Sequence, residues 1–153
     1  MPIDQIDPDD FRAILDLNLI APLVAMQAVL PAMRRQRAGS IINVSSGTSL
    51  MTLPGVSAYA ASKAALNKLS EVARVELAED GITVSTLYPF ITATEFHSSL
   101  RAGADAVRSS NAPAPQSAGE VAAVLLDLLR TGVERADLIP RRFGGTYEGP
   151  AGG

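Results

Sequence analysis

An α/β fold with a parallel sheet of about three strands is predicted by the order of segments along this 153-residue chain. Two long stretches with apolar residues at helical spacing alternate with short runs rich in β-branched residues. A helix between two consecutive strands is typical of a βαβ unit, whose crossover is almost always right-handed. The sequence therefore predicts one domain over residues 1–140, followed by a flexible, glycine-rich tail over residues 141–153.

The first helix is predicted over residues 11–35, where apolar residues recur with a period of 3.6. Residues 7–10, which contain three aspartates and a proline, are typical of a helix start. Pro22 and Pro31 both interrupt the apolar run. Because Pro22 lacks an N–H and crowds the carbonyl four residues earlier, a kink is expected near Asn18.

The first strand is predicted over residues 40–44, directly after Gly39, which is expected to end the first helix. A second long helix is expected over residues 57–79 and a second strand over residues 82–88. Between these two elements Gly81 would supply a left-handed turn.

A third helix is predicted over residues 121–129, because Ser117 and Glu120 have the spacing of a capping box. A last short strand is expected over residues 136–140.

Tyr59 and Lys63 are four residues apart on the second predicted helix, so the phenol and the ammonium are surface neighbours. A cation beside a phenol favours the phenolate and lowers the pKa of the hydroxyl from its usual value near ~10. A tyrosine tuned in this way is a candidate general acid or base. Taken alone, the spacing is weak evidence, because any amphipathic helix can carry it.

Two further polar residues support the interpretation of Tyr59 and Lys63 as a functional pair. Ser46 stands thirteen residues before Tyr59, at the carboxyl end of the first predicted strand, where ligands bind in open α/β sheets. Ser45 is the competing hydroxyl at this place, and the thirteen-residue spacing favours Ser46. Asn18 lies farther upstream, at the expected kink. In this order and spacing, Asn18, Ser46, Tyr59 and Lys63 resemble the short-chain dehydrogenase/reductase family.

The resemblance implies the C-terminal part of a Rossmann-like doubly wound parallel sheet. It implies that Tyr59 exchanges a proton with a carbonyl or alcohol, that Lys63 lowers its pKa and binds the nicotinamide ribose, and that Ser46 steadies the substrate oxygen. The main-chain carbonyl of Asn18 would hold a water in a proton relay. The implied reaction interconverts an alcohol and a ketone, with NAD or NADP as the cofactor.

Four residues after the second strand match positions that contact the cofactor in this family: Pro89, Phe90, Thr92 and Thr94. Tyr59 and Lys63 are implied to contact it as well. Family members usually have glycine directly after the proline, so the bulky side chain of Phe90 could restrict the cofactor's approach. The residues that would choose between NAD and NADP are not among these positions.

The resemblance does not extend to the cofactor-binding half of such an enzyme. The family's glycine-rich phosphate loop would precede Met1, and no Gly-x-Gly-x-x-Gly follows a strand in this sequence. We therefore expect a catalytic half that is active only with a missing N-terminal half, whether through true truncation or an incomplete reading of a longer enzyme. The alternative is an inactive fragment that acts as an oligomerisation module through the Asn18 and Tyr59 helices.

Composition excludes several other classes. A net charge of −3 gives no footprint for nucleic acid, and the absence of cysteine, with the single histidine His97, argues against a disulfide framework and a metal site. The first residues lack the pattern of a secretion signal, and each apolar run is expected to be too short to span a bilayer. The absence of cysteine suits a cytoplasmic protein, and the resemblance implies a homo-oligomer that acts on a small alcohol or ketone.

Overall fold

The computed structural model describes residues 2–92 and 115–147. Its centre is a parallel three-stranded sheet in the order β1-β2-β3. Strand β1 is Gly39–Val44, β2 is Ile82–Tyr88 and β3 is Arg135–Asp137. The sheet and its flanking helices confirm the predicted α/β, Rossmann-like fold class.

The N-terminal helix contains a π-helical turn at the place where the sequence predicts a kink. Helix α1 spans Pro8–Leu15, the π-helical segment Asp16–Ile20, and helix α2 Ala21–Gln36. The N–H of Ala21 bonds to the carbonyl of Asp16, five residues earlier, which is the π-helical pattern. Pro22 is the second residue of α2, directly after this turn.

Helix α2 ends within one residue of the predicted end, but a different residue closes it. Arg37, rather than Gly39, closes the helix in the left-handed conformation, with φ of 53°. Gly39 instead begins β1, where an added Cβ would lie 2.5 Å from the Met33 sulfur. Gly39 therefore leaves room for the Met33 side chain between α2 and β1, and a non-glycine residue adopts the left-handed turn.

The predicted interruption of the first apolar run is wrong. Pro8–Gln36 forms 29 residues of unbroken helix, because the π-helical turn accommodates Pro22 and Pro31 lies inside α2. An 18-residue window of this helix has a mean hydropathy of 1.9, and 6% of that window is buried. By length and composition alone it is sufficient to cross a bilayer, as are some helices of soluble proteins.

Helix α3, Ser57–Leu77, lies between β1 and β2 in the chain and completes the predicted βαβ unit. A 3₁₀ turn at Ala78–Asp80 and Gly81, with φ of 74°, lead into β2. Helix α4 spans Ala118–Thr131, and its predicted capping box between Ser117 and Glu120 is confirmed.

The sheet is covered on both faces, as expected for parallel strands. One apolar cluster joins β2 to α2 and α3, and the other joins β2 to α4. The first contains Leu77, Ile82 and Val84, with Leu30, Met33 and Ile41 against it. The second contains Leu87, Leu128 and Leu138, with Ile42, Val121 and Tyr147 against it.

Residues 141–147 are packed against the domain, although the sequence predicts a flexible tail from residue 141. Arg141–Phe143 forms a 3₁₀ turn, and the N–H of Tyr147 donates to the carbonyl of Ile139 at 3.0 Å. The Tyr147 side chain joins the apolar cluster on α4. The reason is local apolar burial, which a glycine-rich composition does not reveal.

The turn before β2 gives a test of backbone strain. An added Cβ at Gly81 would lie 2.3 Å from the Arg37 carbonyl oxygen, whereas at Gly144, with φ of 85°, it would meet nothing within 4 Å. We expect Gly144→Ala to lower the free energy of unfolding by about 1–2 kcal/mol from the left-handed backbone alone. Gly81→Ala should cost more, on the order of 2–4 kcal/mol. Urea unfolding of both variants measures this, and equal losses would contradict the proposed steric contact.

Candidate active site

The carboxyl ends of β1 and β2 are joined by hydrogen bonds that continue beyond the strands. The N–H of Ser45 donates to the Leu87 carbonyl at 2.8 Å, and the N–H of Gly47 donates to the Pro89 carbonyl at 2.8 Å. Ser46 is therefore held beside the segment that follows β2. This is the edge of a parallel sheet at which ligands bind.

Ser45 and Ser46 have different surroundings, because successive side chains of an extended chain point to opposite sides. Ser45 is buried and its hydroxyl donates to the side-chain oxygen of Asn67. The hydroxyl of Ser46 accepts from the Thr48 hydroxyl at 2.9 Å and is hydrogen bonded to the Tyr59 hydroxyl. Of the two serines, Ser46 is therefore the one that the structure brings to Tyr59.

Tyr59 lies in the first turn of α3, and Lys63 follows one turn later on the same side. The Lys63 ammonium nitrogen is 5.9 Å from the centre of the Tyr59 ring. It donates a hydrogen bond of 3.0 Å to the carbonyl of Val44, the last residue of β1. The lysine thus connects the side of α3 that carries Tyr59 to the end of the sheet.

Burial dominates the proton affinities at this site. Burial raises the pKa of the Tyr59 hydroxyl, and the hydrogen bond with Ser46 opposes this only in part. Burial also lowers the pKa of the Lys63 ammonium. The shift at Tyr59 is opposite to the expected one, because burial raises the pKa of the phenol more than its hydrogen bond with Ser46 lowers it. Tyr59 is therefore a protonated phenol near neutral pH, suited to donate a proton.

Asn18 is connected to α3 through a residue that sequence reasoning missed. Its side-chain amide donates to the hydroxyl of Ser62 at 3.0 Å, and this hydroxyl donates to the main-chain carbonyl of Tyr59 at 2.7 Å. Ser62 is fully buried. The π-helical turn is thus docked against the beginning of the helix that carries Tyr59.

The segment after β2 is held by Gln116, another residue without a sequence signal. The N–H of Phe90 donates to the Gln116 side-chain oxygen at 3.3 Å, and the N–H of Gln116 donates to the Ile91 carbonyl at 2.7 Å. Thr92 forms an isolated parallel bridge with Gln116. Thr94, also predicted to bind the cofactor, lies outside the described residues.

Phe90 replaces the expected glycine and is held by protein contacts. Its ring centre is 5.2 Å from that of Phe143, with 31° between the ring planes. A Cβ added at Gly47 would lie 3.2 Å from the Phe90 ring, so Gly47 allows this packing.

An open groove of about 560 Å³ lies at the opposite, amino end of β2 and β3. It is lined by Glu71, Arg74, Val75, Ala78, Gly81, Ile82, Thr83 and Glu134. None of the predicted site residues contributes to it. The polar cluster around Tyr59 is therefore the better candidate for chemistry.

The sequence also matches a known protein family. A family model described as short chain dehydrogenase matches residues 1–105, which is more than half of the chain. The chain therefore belongs to the short-chain dehydrogenase family.

Two curated proteins illustrate the sequence similarity. The uncharacterized oxidoreductase YxjF of Bacillus subtilis is 39% identical over 88 residues, which cover 58% of this chain and 34% of that protein. A 3-oxoacyl-[acyl-carrier-protein] reductase of Synechocystis is 35% identical over 94 residues, covering 61% of this chain and 38% of that protein.

A crystal structure of gluconate 5-dehydrogenase from Burkholderia cenocepacia, in complex with NADP and tartrate, aligns with a TM-score of 0.77 at 26% identity. The alignment covers 90% of this chain and 57% of that structure. The chain thus spans about a third of the length of the first two relatives and somewhat more than half of this structure.

The direction of the pKa shift at Tyr59 predicts a pH effect on stability. Because the pKa of the folded state is raised, the unfolded chain loses the Tyr59 proton first as pH rises past the ordinary value of 10.0. Stability from this group is fully present below that pH and declines above it. We therefore expect wild type to lose stability relative to Tyr59→Phe only above about pH 10.

The measurement is the difference in the free energy of unfolding between wild type and Tyr59→Phe at several pH values. Taking the difference removes the contributions of Tyr88 and Tyr147, whose pKa values are also raised by burial. A difference that stays constant through alkaline pH would show that Tyr59 is not buried in this way.

Proposed function

We propose that this protein is an NAD(P)-dependent oxidoreductase that interconverts an alcohol and a ketone, with Tyr59 as the proton donor and acceptor. The observation that carries the proposal is the hydrogen bond between the Tyr59 and Ser46 hydroxyls, with the Lys63 ammonium one helical turn away. Membership of the family supports the reaction class. A similar solved structure contains NADP, which supports a nicotinamide cofactor.

The residues present fit the nicotinamide end of such a cofactor. Lys63 supplies an ammonium, and the segment from Pro89 to Thr92 is fixed beside Ser46 by hydrogen bonds from Gly47 and to Gln116. When bound, the cofactor supplies or accepts the hydride. Residues for its diphosphate are not apparent in this sequence, so we propose catalysis by a polypeptide that also contains a phosphate-binding loop. The choice between NAD and NADP stays open.

Four side chains of this protein have roles in the proposed proton transfer. Protonated Tyr59 donates to the oxygen of a ketone, which acquires negative charge as it is reduced. The Ser46 hydroxyl, already bonded to the phenol, is placed to donate to or accept from the same substrate oxygen. The Lys63 ammonium favours the phenolate that remains after transfer. Asn18, through Ser62, fixes the main chain at Tyr59.

Replacement of Tyr59 by Phe tests the proposal directly. Removing the proton donor should lower kcat for carbonyl reduction by about 10²- to 10⁴-fold while the fold is retained. Steady-state kinetics with NADH or NADPH and a panel of small ketones provides the measurement, with circular dichroism to verify folding.

The matched control is Tyr147→Phe, since the Tyr147 hydroxyl donates to Glu120 at 3.2 Å on the α4 side of the sheet. This variant should keep kcat within about twofold of wild type, because its hydroxyl is remote from the Tyr59 cluster. Near-normal turnover by Tyr59→Phe would remove the tyrosine from the catalytic role and the proposal with it.

A second role, as an oligomerisation module, is favoured by exposed apolar side chains on the N-terminal helix. Leu17 and Val24 are 72% and 55% exposed, and Ile20 lies between them at 44%. Helix α3 also exposes Val72 and Val75. We propose that a second copy of the chain covers these side chains, with or without catalysis.

Replacing Val24 by Lys would place a charge within that interface, and Val133→Lys is the control because Val133 is 48% exposed beyond α4. We expect Val24→Lys to shift the protein to the monomer at micromolar concentration, since an unpaired buried charge is strongly unfavourable. Size-exclusion chromatography with light scattering measures the mass. Equal masses for both variants would contradict the interface, and vesicle binding by wild type would indicate lipid as the partner.

A further inference from the structure

Two hydrogen bonds of the Asn67 side chain connect α3 to the segment that carries Ser46, and a third continues within that segment. The Ser45 hydroxyl donates to the Asn67 side-chain oxygen. The Asn67 amide nitrogen donates to the Ser49 hydroxyl at 2.9 Å. That hydroxyl in turn donates to the main-chain carbonyl of Ser46 at 2.6 Å.

The chemistry of this connection depends on a carboxamide. Asn67 accepts with its oxygen and donates with its nitrogen, so one neutral side chain satisfies two different hydroxyls. The side chain is 7% exposed, so its polar atoms would be left unpaired if either partner moved away. The bonded loop is a 3₁₀ turn, Gly47–Leu50, which Ser46 caps by accepting from the N–H of Thr48.

The position of Asn67 on α3 links these hydrogen bonds to the proposed reaction. Tyr59, Lys63 and Asn67 are spaced by four residues, so they follow one another along one side of the helix. The same rigid element therefore carries the phenol, the ammonium and the attachment point of the serine loop. A change in the loop relative to α3 would change the separation of the Ser46 and Tyr59 hydroxyls.

We propose that Asn67 is a positioning residue, which acts through Ser45 and Ser49 to hold the Ser46 hydroxyl against Tyr59. This inference rests on the proposed function only for its effect on rate. Asn67 itself reaches the site through other residues and is not a catalytic residue.

Another buried asparagine on the same interface provides a matched control. Asn43, in β1, is also 7% exposed, and its amide donates to the Ser70 hydroxyl of α3 at 2.8 Å. Ser70 donates onward to the Leu66 carbonyl at 2.7 Å, within α3. The pair thus joins α3 to the sheet as Asn67 does, but it makes no described hydrogen bond to residues 46–50.

The test compares Asn67→Leu with Asn43→Leu in the active protein. Both variants lose a buried carboxamide of similar size, so both should lower the thermal midpoint by a similar amount. Only Asn67→Leu should lower kcat, by about 10- to 100-fold, with KM changed much less, because a small displacement of a reacting group is costly to the chemical step. Equal kcat values for the two variants would overturn the proposal.

A second pair of variants covers the case in which the leucine variants fail to fold. Ser49→Ala removes the link to the Ser46 carbonyl, and Ser70→Ala is its control. The expected result is a lower kcat for Ser49→Ala alone. Unchanged kcat in this variant would count against the anchoring of Ser46 through Ser49.

Hydrogen exchange separates this inference from the proposed function. The amides of residues 46–50 should exchange faster in Asn67→Leu than in wild type or Asn43→Leu, whether or not the protein is an enzyme. Unchanged exchange would show that Asn67 does not hold the loop. Activity that survives in Tyr59→Phe would instead refute the proposed function and leave the exchange result to decide the anchoring.

Discussion

The packing of α3 against β1 through buried polar side chains is the constraint on which the candidate site depends. Asn43 with Ser70, and Asn67 with Ser45, join the helix to the first strand and to the residue that follows it. Unlike apolar contacts, these bonds tolerate little sliding, because a displaced buried polar group loses its partner. The polar pairs therefore fix where α3 lies along the strand.

Because α3 is fixed in this way, the side chains of the candidate site are held in defined positions. The beginning of the helix places Tyr59 beside Ser46, and the next turn places the Lys63 ammonium at the Val44 carbonyl. On the other side, Ser62 receives the Asn18 amide from the π-helical turn. One helix thus joins the strand end to the N-terminal helix, and each contact uses a side chain already within hydrogen-bonding reach.

The electrostatics of Tyr59 show two opposing effects. The helical spacing brings a cation near the ring, which favours the phenolate, whereas burial favours the neutral phenol. Burial prevails and raises the pKa of Tyr59 in the structure, where the Lys63 nitrogen is 5.9 Å from the ring centre and is bonded to a carbonyl. A substrate or cofactor that changed the position of Lys63 would change this balance.

By itself, the sequence determined the helices, the strands and their parallel order, and it named the candidate site residues, because periodicity, caps and motif spacing are local properties. It placed an expected kink near Asn18, where the structure has a π-helical turn, since the missing N–H of Pro22 acts within one turn of the helix. The structure brings Ser46, the serine that the spacing favoured, to Tyr59. Only the tertiary structure decided which residue closes α2 and how Asn67 and Gln116 hold the loops. It also decided the direction of the pKa shift at Tyr59. These features depend on burial and on partners many residues away, which the pattern of neighbouring residues does not encode.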